Sequence, residues 1–174
     1  MPSIRQLAPD DAAVYHALRL RMLRENPEAF TSSFEEELAK PLTWTQARLA
    51  PSACAPEKFV LGAFDDDNVL VGSVGLAVEE RLKERHMGFV FGMFVAPEAG
   101  AAGVGRALLA ECIARARRFP GLELLTLTVT SSNLRALRFY EAAGFRAFGI
   151  EERALKVAGR YYPKAHMTLN LHAP

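Results

Sequence analysis

The chemistry that the sequence suggests most directly lies in a run of three glycines and three alanines, Ala99-Gly100-Ala101-Ala102-Gly103-Val104-Gly105. Small residues leave backbone N–H groups accessible, and the positive end of a helix that begins at the glycines favours an anion. A P-loop would continue with Lys and then Ser or Thr where Arg106 and Ala107 stand. A dinucleotide fingerprint would place its glycines first, third and sixth, not first, fourth and sixth. Taken alone, the run is better explained as a turn that lets a strand and a helix pack.

The elements around this run predict one mixed α/β domain. Near-continuous apolar character marks residues 87–95 as a central strand that is covered on both faces and ends before Pro97. Glu111, Arg115 and Arg118 fall on one face of an amphipathic helix over residues 104–118. The other predicted strands are 4–7, 59–64, 69–78, 124–130, 145–150 and 161–171, with a polar loop before the last. Three other helices are predicted. One carries Val14, Leu18 and Met22 on one face, one is opened by a capping box at the Ser32/Ser33 to Glu35/Glu36 spacing, and one covers residues 132–143.

A second segment, Asn133-Leu134-Arg135-Ala136-Leu137-Arg138-Phe139-Tyr140-Glu141-Ala142-Ala143-Gly144-Phe145, lies about 30 residues beyond the glycines. Together with Met93-Phe94-Val95-Ala96-Pro97-Glu98 and the glycine run, it resembles the GNAT acetyltransferase superfamily. Residues 27–33 and 154–162 are similar to a bacterial branch of that superfamily whose substrates are mostly unassigned. Either half alone is a weak signal, whereas both halves in this order and at this separation are specific.

The resemblance implies an α/β fold: a single domain over residues 1–174, with about four helices and a mixed sheet of about seven strands that splays between the fourth and fifth. It also implies that acetyl-CoA is wedged into the splay as cosubstrate. The residues implied to bind it are Phe94 and Val95 on the pantetheine arm, Gly100, Ala101, Ala102, Gly103, Val104, Gly105 and Arg106 at the pyrophosphate, and Asn133 and Tyr140 at the sulfur. Gly100 and Ala101 depart from the family pattern, which usually has Arg or Gln followed by Gly. Arg106, Arg135 and Arg138 are further candidates for phosphate contacts.

The implied reaction is attack of an amine on the thioester in a ternary complex, and it needs a neutral amine. Tyr140 is the implied general acid, and an N–H at a bulge in the fourth strand is expected to stabilise the oxyanion. The base stays open, because the interior of the fourth strand has no carboxylate. Candidates are a water chain and side chains that flank the strands or lie on the early helices: Glu35, Glu36, Glu79, Glu80, Glu84, His86 and, less favoured, His166.

The sequence is also compatible with two other functions. One is a non-catalytic acyl-CoA-binding regulatory module, and the other is a transferase for a longer acyl chain with a pocket near Phe89, Phe91 and Phe94. The acceptor is left open among small-molecule and peptide amines, and a homodimer is among the assemblies left open. The aromatic candidates for the acceptor site are Phe30, Phe34, Trp44, Tyr161 and Tyr162.

Composition limits the partners. The chain has 21 Lys and Arg against 20 Asp and Glu, so no overall field attracts nucleic acid or an anionic membrane. Its beginning lacks a signal-peptide pattern, and no apolar run approaches the roughly 20 residues of a membrane helix, so a cytoplasmic protein is expected. The two cysteines, Cys54 and Cys112, are expected to be free thiols. No metal-ligand cluster is predicted.

Overall fold

A computed structural model describes residues 2–51 and 58–172 of the chain; Cys54 lies outside this part. Seven strands form one sheet in the order β1-β2-β3-β4-β5-β7-β6. Neighbouring strands are antiparallel except for the parallel pair β4 and β5. The strands are β1 (Ser3–Gln6), β2 (Lys58–Phe64), β3 (Leu70–Val78), β4 (Met87–Val95), β5 (Leu124–Thr130), β6 (Arg146–Val157) and β7 (Arg160–Asn170).

Helices cover both faces of this sheet. The described α-helices are α1 (Ala12–Glu25), α2 (Phe34–Leu38), α3 (Leu42–Leu49), α4 (Val104–Ala116) and α5 (Leu134–Ala142). Four of the five have eight residues or more, and two 3-10 turns, Pro9–Asp11 and Pro97–Ala102, precede α1 and α4. The predicted capping box is present, because Ser33 accepts from the Glu36 amide at 3.1 Å and Glu36 accepts from the Ser33 amide at 3.0 Å.

Two hydrophobic cores result from the alternation of side chains along the strands. Leu61, Leu125 and Met167 face α4 and α5 in one core, which also contains Cys112. Val60 and Phe94 face α1 in the other core. Cys112 is a free, fully buried thiol, and burial raises its pKa to about 12, so it packs like a small hydrophobic residue.

The sheet splays between β4 and β5, as the resemblance implied. Pairing between the two strands covers Met87 to Phe89 on β4 and Leu124 to Thr126 on β5. Both strands then continue without pairing to each other, to Val95 and to Thr130. The N–H and C=O groups on the β5-facing edge of β4 are therefore left without a strand partner, and a wedge opens toward the carboxyl ends of both strands.

A bulge interrupts β4 inside this wedge. The register with β3 shifts between Gly75, which pairs with Phe91, and Ser73, which pairs with Phe94. Gly92 lies in the bulge with a φ of 60°, a conformation that other residues rarely adopt, and its carbonyl accepts a hydrogen bond from Ser73 Oγ at 3.1 Å. The predicted bulge in the fourth strand is thus present, and the bulged carbonyl is held in place.

Three expectations about local structure were wrong. β4 is not covered on both faces: Phe89 is 37% exposed, because this face of the strand borders the wedge. Val14 is 50% exposed, whereas Leu18 and Met22 of the predicted stripe are buried. The polar loop predicted before the last strand is a hairpin, since β6 continues to Val157 and turns through two residues with positive φ.

Within the described residues, no helix is long and apolar enough to cross a membrane.

Candidate active site

The wedge between β4 and β5 holds an open cleft of about 1100 Å³. Its walls are the diverging halves of the two strands, and the segment after α1 and the first turn of α4 border it. Of the residues that the resemblance implied, those that line this cleft are Phe94, Val95, Gly100, Ala101, Gly103, Gly105, Arg106, Asn133 and Tyr140. The structure therefore brings together in one cavity residues that are up to 46 positions apart in the sequence.

Ala102 and Val104 do not line the cleft. Ala102 ends the 3-10 turn, and the Val104 side chain is buried in the core with α4, being 2% exposed. Only the backbone of Val104 can serve a ligand, because the helix starts there and directs the side chain inward. This separation of roles was not visible in the sequence, where Val104 lies inside the glycine run.

The glycine run is a 3-10 turn followed by Gly103 and then α4. Gly103 has φ 73° and ψ 8°, the left-handed conformation that links the two helices, and a Cβ built there would meet no heavy atom within 4 Å. The first N–H groups of α4 have no intrahelical acceptor. They therefore point out of the helix beside an open space, which suits an anion.

Two arginines flank this space. Arg106 and Arg135 line the cleft, and Arg135 Nη2 lies 3.9 Å from the position that a Cβ at Gly100 would take. Arg138 does not line it. A guanidinium from α5 thus reaches the side of the run where the family pattern would place a side chain at Gly100 or Ala101.

Asn133 caps α5. Its side-chain oxygen accepts a hydrogen bond from the Ala136 amide at 3.0 Å, which accounts for the residue type on structural grounds. The same residue lines the cleft, and its amide nitrogen makes no hydrogen bond within the described part of the chain. The cap orients the amide nitrogen, which remains available to a ligand.

Tyr140 lies on the buried side of α5 and is 9% exposed. Its ring packs edge-on against Phe145, with centroids 5.8 Å apart, and its hydroxyl makes no hydrogen bond in residues 2–51 or 58–172. Burial, with a smaller contribution from Cys112, raises the pKa of Tyr140 above its ordinary value. The hydroxyl is therefore protonated at neutral pH and lines the cleft as a potential proton donor.

None of the side chains considered as bases lines the cleft. Glu35, Glu36, Glu79, Glu80, Glu84, His86 and His166 all lie outside its lining. Glu25 is the one carboxylate among the described residues of the lining, and Arg21 Nε binds it at 2.8 Å. The geometry therefore favours the water chain among the candidates for proton removal.

The acceptor-site aromatics divide in the same way. Of the five candidates, Phe30 lines the cleft, whereas Phe34, Trp44, Tyr161 and Tyr162 do not. Phe89, Phe91 and Phe94, named for the pocket of a longer acyl chain, also line it. The side of the cleft toward α1 and α3 is therefore bordered by phenylalanines from β4 and from the segment after α1.

Sequence reasoning missed three basic residues of the cleft, Arg19, Arg48 and Lys164. Arg19 is 5% exposed and Lys164 is 6% exposed. Burial lowers the pKa of Lys164, an effect that outweighs the opposing influence of Glu151. The signal for Arg19 was its place four residues after Tyr15 on the apolar face of α1; no local signal marked Lys164, which alternates along β7 like an ordinary outward-facing residue.

Arg19 is held by a buried ion pair. Its Nε binds Glu37 Oε1 at 2.7 Å and its Nη2 binds Oε2 at 3.1 Å, and Lys40 binds the same carboxylate at 3.1 Å. Burial alone would raise the pKa of Glu37, but the hydrogen bonds from Arg19 and Lys40 outweigh it and lower the pKa. Glu37 is thus charged in the native state and neutralises Arg19 from behind the cleft wall.

Glu37→Gln is expected to destabilise the fold by about 3–5 kcal/mol at pH 7, because Arg19 would be left buried without a counter-charge. Since the native pKa of Glu37 lies below its unfolded value, its contribution is present above about pH 4.3 and is lost as the pH falls through the native pKa. Urea denaturation should therefore show a difference between parent and variant that shrinks on acidification. Glu35→Gln, an exposed position on the same helix, should change stability by less than about 0.5 kcal/mol. A stability difference between parent and Glu37→Gln that does not shrink on acidification would contradict the role of the ion pair.

The sequence profile of the acetyltransferase (GNAT) family matches residues 19–145. An acetyltransferase of the GNAT family from Streptococcus pneumoniae is similar in structure, with a TM-score of 0.88 and 25% identity, over 98% of this chain and 99% of that chain. A phosphinothricin acetyltransferase from Sinorhizobium meliloti in complex with acetyl-CoA has a TM-score of 0.79 and 17% identity, over 97% and 88% of the two chains.

A putative acetyltransferase from Salmonella typhimurium, determined with its cofactor acetyl-CoA, has a TM-score of 0.74 and 20% identity, over 100% of this chain and 96% of that chain. At these lower identities the likeness shows the fold. No curated protein matches the sequence.

Proposed function

The chain belongs to the acetyltransferase (GNAT) family, and we propose that it transfers the acetyl group of acetyl-CoA to a primary amine by direct attack in a ternary complex. The observation that carries the proposal is the wedge, in which an unpaired edge of β4 and the start of α4 open onto one cleft. Two of the similar folds were determined with acetyl-CoA.

The residues present suit acetyl-CoA. The pantetheine arm is an extended chain with amides, and the free edge of β4 at Phe94 and Val95 offers it the N–H and C=O groups that a neighbouring strand would use. Gly103 and the first amides of α4 offer donors to the pyrophosphate, with Arg106 and Arg135 supplying positive charge. When bound, acetyl-CoA supplies an activated acyl group.

The remaining chemistry falls to the chain itself. An amine with an ordinary pKa is protonated at neutral pH and must lose a proton before it attacks. Because the lining of the cleft in the described residues offers no carboxylate apart from the ion-paired Glu25, we assign proton removal to water held by backbone carbonyls. N–H groups at the Gly92 bulge stabilise the negative charge that develops on the carbonyl oxygen, and Tyr140 protonates the departing sulfur.

The position of Tyr140 favours an enzyme over a module that only binds acyl-CoA. A binding module has no use for a phenol that is free of hydrogen bonds within the described residues and borders the reacting end of the cleft. Release of free CoA with an amine library tests this choice, and a panel of acyl-CoA chain lengths tests the alternative of a longer acyl donor.

Acetyl-CoA is expected to bind the free chain and to raise its melting temperature. At 100 times the Kd, a ligand that binds only the native state stabilises it by about 2.7 kcal/mol, which for a chain of this size is roughly 5–10 °C. Isothermal titration calorimetry measures the binding, and differential scanning calorimetry measures the shift. ATP, which lacks the pantetheine arm, should bind far more weakly. Absence of acetyl-CoA binding at millimolar concentration would overturn the proposed function.

A further inference from the structure

The charges at the acceptor end of the cleft point to the kind of amine that the protein acetylates. This end comprises the residues that line the cleft from α1, α3, the segment after α1, the middle of β4, and β7. Its charged members among the described residues are Arg19, Arg48, Lys164 and Glu25. Arg19 pairs with Glu37, which also binds Lys40, and Glu25 pairs with Arg21, which also binds Glu98. Within the described residues, Arg48 and Lys164 are the charged groups of this end that form no ion pair.

Lys164 has a largely buried side chain whose ammonium group has no direct partner. It is 6% exposed, and it makes no hydrogen bond or ion pair with any residue of the described part. Glu151 lies opposite it in the register of β6 and β7, but no ion pair joins the two; Glu151 instead contacts His166 at 3.3 Å. Glu151 raises the pKa of Lys164 from a distance, but burial lowers it more, so the positive charge of Lys164 is only partly compensated in the free protein.

The surroundings of Lys164 are fixed by the segment after α1. Lys164 pairs with Thr130 at the end of β5, and Thr130 Oγ1 donates a hydrogen bond to the Glu28 carbonyl at 2.6 Å. This contact ties the segment over the end of β5. Lys164, the register partner of Thr130, lines the cleft next to this contact.

Arg48 adds a second positive group on the opposite wall. Its guanidinium lies 5.0 Å from the centre of the Phe91 ring, and its Nε is buried without a hydrogen-bond partner in the described residues. Phe30, Phe89 and Phe91 supply apolar surface to the same end. A polycationic acceptor would meet uncompensated positive charge here, whereas an anion would meet an unpaired donor.

We propose, on the basis of the acetyltransferase function proposed above, that the acceptor is a primary amine that carries a carboxylate on an apolar body, as an apolar amino acid does, and that Lys164 binds the carboxylate. The carboxylate accepts a hydrogen bond from Lys164 Nζ, the apolar body packs on the phenylalanines, and the amine faces the bulge in β4. Lys164 is a binding residue in this arrangement and takes no part in the transfer.

The test compares amines with and without the carboxylate: L-phenylalanine with L-phenylalaninamide, and L-methionine with L-methioninamide, with spermidine as the polycationic case. Because the carboxylate also raises the pKa of the α-amine, each amino acid and its amide are compared at a pH above both amine pKa values. Initial rates of CoA release with saturating acetyl-CoA give kcat/KM for each. We expect each amino acid to exceed its amide by about 10-fold or more, the range of a charge-assisted hydrogen bond. Spermidine should be a poor substrate.

Substitutions at Lys164 test whether this residue causes the preference for a carboxylate. Lys164→Met should raise KM for the carboxylate-bearing acceptor by about 10-fold or more, with kcat, the rate with the amide and the Kd of acetyl-CoA nearly unchanged. Lys164→Arg should keep most of the preference because it keeps the charge. Lys83→Met, an exposed lysine in the turn before β4, serves as the control and should behave like the parent.

Equal rates with acids and amides, a preference for spermidine, or no acetylation of any carboxylate-bearing amine would overturn the proposal. So would a loss in Lys164→Met that falls on kcat for acids and amides alike, since that would mark Lys164 as a base. In each case acetyl-CoA binding still reports separately on the proposed function. If acetyl-CoA itself fails to bind, the acetyltransferase proposal fails first.

Discussion

Gly105→Glu is expected to abolish acetyl-CoA binding while leaving the fold intact. Gly105 is the second residue of α4 and lines the cleft, and a Cβ there would lie 3.4 Å from Met93 Cε and 3.5 Å from Val95 Cγ2. These are ordinary contacts, so the backbone accepts a side chain. A carboxylate about 4 Å from the pyrophosphate would repel it by about 4 kcal/mol at an effective dielectric constant of 20, which corresponds to a rise in Kd of 100-fold or more.

Calorimetric titration with acetyl-CoA measures this loss, and circular dichroism shows whether the variant is folded. Gly105→Ala adds the Cβ without the charge and should keep most of the affinity. Gly149→Glu adds the same charge in β6, where a Cβ would meet no heavy atom within 4 Å, and should bind like the parent. A folded Gly105→Glu that binds acetyl-CoA normally would show that the start of α4 is not the phosphate site.

Gly103 is a less decisive position for this test, although it lies at the centre of the run. Its φ of 73° means that any L side chain is strained there, whatever the space around it. A loss of binding in Gly103→Glu would mix backbone distortion with charge repulsion. Gly105 has helical geometry and therefore separates the two effects.

Tyr140→Phe is expected to lower kcat by about 100-fold or more with acetyl-CoA affinity nearly unchanged, since positioned proton transfer typically contributes at least that much. The substitution keeps the ring, which packs on Phe145, and removes a hydroxyl that makes no hydrogen bond with the described residues. Stability should therefore change little. Because the pKa of Tyr140 is raised, the parent should keep its proton donor well above neutral pH, and the alkaline limb of the rate profile should change in the variant.

Steady-state rates across pH, with single-turnover measurements to establish that chemistry limits kcat, test this role. Tyr161→Phe removes a hydroxyl from an exposed tyrosine outside the cleft lining and should leave the rate unchanged. If Tyr140→Phe keeps more than about half of the parental kcat while chemistry is rate-limiting, Tyr140 is not the general acid and water protonates the sulfur.

Much of the fold was predictable from the sequence because its signals are local. The glycine run before an amphipathic helix, the Ser33–Glu36 capping box and the apolar strand at residues 87–95 each specify an element through contacts between near neighbours. The order of the glycine run and the Asn133 to Phe145 segment indicated the family, and the family implied the seven-stranded splayed sheet. These features depend on residue type and spacing, which the sequence states directly.

The parts of the site that the sequence did not show depend on which elements cover a side chain. Lys164 and His166 alternate along β7 with buried residues and look equally exposed in the sequence. Lys164 is 6% exposed, and its register partner Thr130 donates a hydrogen bond to the Glu28 carbonyl, 102 positions away, so its surroundings come from distant parts of the chain. The charged candidates for the base lie outside the cleft lining, which their positions in the sequence did not show.

The sequence by itself thus indicated most of the elements, the start of α4 at the glycine run and the place of Tyr140 on its helix, since each is set within a few residues of chain. The tertiary structure alone decided that β4 and β5 separate after Phe89 and Thr126, that β4 has one face on the cleft, and that Lys164 and Arg48 border the acceptor end. Burial and charge compensation are properties of packed surfaces. They come from residues far apart in the chain, and no local pattern in the sequence encodes them.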